Sequence, residues 1–143
     1  MLSAAVTGAS LLFHPVGPLG TFWPPSPLCP LPNERQFPFF AFVALTEATA
    51  FGVAMAFLIW GYRFTVHRFS ERWRRLVVWL GLAWLLGNWY PHDALHIHVG
   101  PDLGQMIAIE LGFHVTLIAT TVALMLAILL PRRIPHDDAH RAV

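Results

Sequence analysis

Three long apolar runs divide the chain. The first covers residues 39–62, holds Glu47 as its one charged residue, and stops at Arg63. The second covers residues 74–90. It reaches a useful length only if it starts at Arg74 and Arg75, with their stems lying along apolar surface and their guanidinium heads at its edge. The third covers residues 103–130 and ends at Pro131. A spanning helix takes about 20 apolar residues at ~1.5 Å rise each. The pattern therefore predicts an all-α integral membrane bundle of three transmembrane helices.

The flanks read differently. The first twenty residues are apolar, but Pro15 and Pro18 interrupt them and no basic stretch precedes them. This predicts neither a span nor a cleaved signal peptide. Pro24, Pro25, Pro27, Pro30, Pro32 and Pro38 crowd the next segment, which predicts an extended arm. The expected organisation is a proline-rich N-terminal arm (1–38), a transmembrane domain (39–130) and a polar tail (131–143). Gly100 and Pro101 make a turn before the third helix. Asp102 is placed to cap that helix, with Gln105 three residues on.

Arginine placement orients the bundle. With three spans, residues 1–37 and 91–102 share one side, and that side holds only Arg35. The other side holds Arg63, Arg68, Arg72, Arg74, Arg75, Arg132, Arg133 and Arg141. The positive-inside rule puts the N-terminus outside and the C-terminus in the cytoplasm of a multi-pass cell-membrane protein, with a bacterial cytoplasmic membrane expected.

Composition sharpens this picture. The chain has 143 residues, of which 56% are hydrophobic and 12% charged. The charged share is half the ~25% of an average soluble domain. That argues against a disordered chain, a nucleic-acid partner and most soluble enzymes. The expected partners are the lipid bilayer and either other membrane subunits or a second copy. Cys29 is the single cysteine, which excludes an internal disulfide and any cysteine-rich metal site.

Candidate chemistry lies where hydrocarbon tolerates it least. Glu47 in the first helix and Glu110 and His114 in the third are ionisable groups inside spans, which normally face the bundle or a partner. Glu47 falls roughly 12 Å, and Glu110 roughly 10 Å, below the outer end of its helix. His114 stacks one turn below Glu110. The loop 91–98 adds His92, Asp93, His96 and His98 at the same end. A helical backbone there puts His92 and His96 on one face, whereas an extended one pairs His96 with His98.

Imidazole and carboxylate together suit copper, iron or zinc. The sequence thus predicts a transition-metal site drawn from His92, His96, His98, His114, Glu47 and Glu110, with Asp93 as a seventh ligand or an orienting partner. The spacing itself is unspecific: ExxxH differs from the ExxH of di-iron bundles. Depth also argues against one site, because a surface loop would lie roughly 15 Å from His114.

Two roles follow. One is a metal-binding subunit, possible within a redox complex. The alternative is a non-catalytic accessory or assembly subunit in which Glu47 and His114 hydrogen-bond across the helix interface. His14 reads as a residue of the arm without partners, and His67 and the tail histidines as solvated.

Overall fold

A computed structural model describes residues 1–131, and the rest of the polar tail, 132–143, lies outside them. The described chain is helical apart from turns and the proline-rich connection. The helices are α1 (Leu2–Phe13), α2 (Phe37–Arg68), α3 (Arg72–Gly87), α4 (Trp89–Val99) and α5 (Leu103–Leu129), with a short 3₁₀ turn at Gly20–Phe22. Two of them, α2 and α5, are long and apolar enough to cross a membrane. The remaining helices are shorter, α3 having 16 residues, or about 24 Å.

The helices stand in a row. α2 packs between α1 and α3, and α3 packs between α2 and α5. α2 and α5 do not meet. α4 follows α3 after a one-residue break and touches α2, α3 and α5. The small buried core lies between α3 and α5, where Val78 packs with Leu124 and Ala127.

Small residues set the α1–α2 approach. Ala48 and Gly52 are buried on α2, and a side chain at position 52 would run into the Ser3 carbonyl and the Thr7 hydroxyl of α1. The Thr7 hydroxyl donates to the Ala48 carbonyl at 3.3 Å. The N-terminal twenty residues, expected to hold no span, thus contain a 12-residue helix that docks as the outer member of the row.

The break between α3 and α4 has a local cause. Pro91 has no N–H to offer the Gly87 carbonyl one turn back, and its ring crowds that turn. Asn88 occupies the break, and its side-chain amide donates to the Trp84 and Leu85 carbonyls of α3 at 2.8 and 3.1 Å. The chain then resumes as α4 at Trp89. The 91–98 segment is therefore a helix, the first of the two backbones open to it.

Gly100 ends α4 with φ +62°, a conformation L residues rarely adopt. A Cβ there would also meet the Ser26 side chain at 2.5 Å. Ser26 in turn donates its backbone N–H to the Ile97 carbonyl at 3.0 Å, tying the proline-rich segment to α4. Gly100→Ala is expected to destabilise the fold by about 1–3 kcal/mol. A lowered thermal midpoint in detergent checks this; an unchanged midpoint would show that the arm is not anchored there. α5 then starts at Asp102, whose carboxylate accepts from the Gln105 N–H at 2.9 Å. At the far end Arg74, buried on α3, donates to the Pro131 carbonyl at 3.0 Å and pairs with Glu71 at 3.0 Å.

Candidate metal centre

The α4–α5 hairpin builds the site. His92 and His96 lie one turn apart on α4, and Glu110 and His114 one turn apart on α5. The two faces meet because the link between the helices is only three residues, Gly100 to Asp102. His92 sits with its ring centroid 4.6 Å from His96 and 5.3 Å from His114. The 15 Å separation expected for a surface loop is absent, because α4 brings its histidines down onto α5.

Glu110 is the hub. Its carboxylate lies 3.0 Å from His96 Nε2 and 2.6 Å from His114 Nδ1. His96 Nε2 lies 3.2 Å from His92 Nε2. The bond to Glu110 assigns the His114 ring proton to Nδ1 and leaves Nε2 with the lone pair. A carboxylate behind a histidine is the usual way of orienting that ring toward a metal. Aromatic rings close the inner side: Phe113 packs 5.1 Å from the His92 ring and stacks on Trp84 at 5.8 Å.

His92, Glu110 and His114 each offer a ligand atom, and these atoms lie within 4.8 Å of one another. Tetrahedral zinc with bonds near 2.0–2.1 Å needs ligand atoms about 3.4 Å apart. Side-chain rotation covers the difference. The cluster is geometrically able to bind a transition metal. His96 stands beside it as a fourth donor. Burial, followed by the neighbouring His96 and then His114, holds the His92 imidazole below its ordinary pKa, against the opposing pull of Glu110 and Asp93. The neutral form this favours is the one that ligates metal.

The other sequence candidates go elsewhere. His98 turns to the proline-rich segment: its Nδ1 meets the Pro24 carbonyl at 2.8 Å, and its ring lies 6.3 Å from Trp23. Asp93, one residue round the helix from His92, faces His14 instead, with Oδ2 3.9 Å from His14 Nε2. Glu47 is on α2, which does not touch α5. It lines a cleft of about 380 Å³ with Thr46, Leu85 and Trp89, and one of its buried carboxyl oxygens has no hydrogen-bond partner. The Glu47–His114 hydrogen bond expected across the interface is not formed. The carboxylate that His114 takes is Glu110, on its own helix and one turn away.

His14 is the residue sequence reasoning missed. It is 4% exposed, meets the Tyr90 ring at a tilt at 5.9 Å and faces Asp93, where its place in the arm predicts no partner. Its neighbours lie about 80 residues away along the chain, and no local pattern signals them.

No protein-family model, curated protein or solved structure matches this chain.

Proposed function

We propose that this chain is a non-catalytic subunit of a membrane assembly that holds a transition-metal ion at the α4–α5 junction. The observation that carries this reading is the convergence of His92, Glu110 and His114 from two helices onto one point, with His96 beside them. The accessory role is favoured over a redox centre by how these groups meet. Glu110 contacts two histidines, and His96 contacts both Glu110 and His92, so the polar atoms satisfy one another and join α4 to α5. The metal would then reinforce a junction the side chains already make.

The membrane setting rests on α2 and α5, whose apolar surfaces are mostly uncovered. Leu111, Val115, Ile118 and Val122 on α5 are all more than half exposed, as residues facing lipid or another subunit would be. In the three-span arrangement α3 completes the bundle. The arginine bias then sets the N-terminus and the metal cluster on the outer side of the cytoplasmic membrane. Copper, iron and zinc all suit the donor set.

The test is a titration of the full chain in detergent with zinc and cobalt(II), followed by metal analysis after desalting. About one ion per chain is expected, with a cobalt absorption typical of nitrogen and oxygen donors. Retention of no metal above a buffer control would leave the cluster as interhelical hydrogen bonding alone. Crosslinking in native membranes tests the other half: a defined higher-mass band is expected, and a monomer only would count against an assembly subunit.

A further inference from the structure

A second polar centre lies on the face of α4 next to the metal cluster. A cavity of about 190 Å³ sits between the start of α2, α4 and the proline-rich segment. Phe37, Phe39 and Phe40 line it from α2, and Pro30 and Pro32 from the segment above. Asp93 brings the one carboxylate in its wall, and His14 stands beside that carboxylate.

The charge in this wall is uncompensated. Among the described residues, the one basic side chain within 4.0 Å of Asp93 is His14. His14 accepts at Nδ1 from the Val16 backbone N–H at 3.4 Å, which assigns its ring proton to Nε2. That Nε2 is buried without a hydrogen-bond partner and looks toward Asp93 across 3.9 Å. At this distance the N–H makes no hydrogen bond to the carboxylate. Asp93 itself is 40% accessible, so its free oxygen surface is open to a partner.

The three phenylalanines carry the other half of the recognition. Each is at least half exposed, and Phe39 and Phe40 meet edge to face at 5.9 Å, so their ring faces are not stacked on each other. Aromatic faces beside a carboxylate attract organic cations, because the ring quadrupole and the anion act in the same direction. A cavity of ~150 Å³ is enough for a benzene ring, so this one holds a compact molecule of about that size with a small head. A bare metal ion suits it poorly, since the His14 nitrogen facing Asp93 carries a proton.

We infer that this cavity binds an organic ammonium group, with Asp93 as its counter-ion and Phe37, Phe39 and Phe40 around its alkyl surface. The source is either a free hydrophobic amine or the ammonium headgroup of a lipid. The site is spatially distinct from the metal cluster: Asp93 and His92 project from different faces of α4.

Benzyltrimethylammonium is the probe, titrated calorimetrically into the full chain in non-ionic detergent, with its uncharged isostere neopentylbenzene as the control. The cation is expected to bind at least tenfold more tightly than the isostere. Asp93→Asn is expected to remove that preference. Ala44→Phe, which fills the cavity from α2, is expected to abolish binding of both compounds. Circular dichroism and the thermal midpoint of each variant in the same detergent report whether the fold survives. Nanodiscs separate the sources. Weaker probe binding in phosphatidylcholine than in a neutral glycolipid identifies a lipid headgroup as occupant, and equal binding identifies a free amine. Equal affinity of wild type for cation and isostere, no binding of the cation, or an unchanged preference in a folded Asp93→Asn variant each overturns the inference.

Discussion

Glu110→Gln is expected to lower transition-metal affinity by roughly 10–100-fold while moving the thermal midpoint of the metal-free protein little. Glu110 is the one carboxylate in the cluster, and it reaches both His96 and His114. Glutamine keeps the shape but removes the negative charge that offsets a dication. Its amide also turns a donor toward one of the two imidazoles, which weakens the orientation of that ring. The stability loss without metal stays small because the Glu110 side chain is nearly half exposed, and exposed ion pairs contribute only ~0–1 kcal/mol. Cobalt(II) titration with parallel thermal melts of the apo-protein separates the two effects. The opposite split, with unchanged metal binding and a large drop in apo-stability, would make Glu110 interhelical glue and remove the metal from its role. His114→Ala serves as the companion variant and is expected to weaken metal binding at least as much.

Gly52→Leu is expected to detach α1 and cost about 3 kcal/mol. The first atom of any side chain at position 52 would meet the Ser3 backbone carbonyl, which moves only if α1 moves. The loss extends beyond one contact. Docked α1 supplies the Ser10 carbonyl that accepts from the Tyr90 hydroxyl at 2.7 Å, and it leads directly into His14. Detaching it therefore disturbs the Asp93 cavity while leaving the α4–α5 metal cluster in place. Limited proteolysis between α1 and α2, together with the melting curve, checks the prediction. Gly112→Leu is the control, because a Cβ at that glycine meets nothing within 4 Å. Equal effects of the two substitutions would mean that α1 does not depend on close approach at Gly52.

Much of the helical architecture was legible because hydropathy acts locally. The runs at 39–62 and 103–130 correspond to α2 and α5, which extend to Phe37–Arg68 and Leu103–Leu129. Asp102 caps α5 as its position before the run implied. The 74–90 run proved to be two pieces, α3 and the start of α4. Hydropathy does not register a missing backbone N–H, and Pro91, just past the end of the run, removes one that an unbroken helix would need. α1 was harder to see, since an apolar dozen residues before Pro15 and Pro18 fits a docked short helix as well as irregular chain.

The chain itself determined which residues could carry chemistry. With so few charged groups, Glu47, Asp93, Glu110 and the outer histidines stood out against an apolar background, and i,i+4 spacing already joined Glu110 to His114 and, in a helix, His92 to His96. Tertiary structure alone decided how they divide. Beyond the break at Asn88, α4 runs on between α2 and α5, so one of its faces meets α5 and the next meets α2 and the Ser10 carbonyl of α1. His92 and His96 thereby join Glu110 and His114, while Asp93 joins His14, and Glu47 stays with α2. Neighbours along a helix are fixed by its 3.6-residue period. Neighbours between helices depend on how distant segments pack against one another, which local periodicity does not encode.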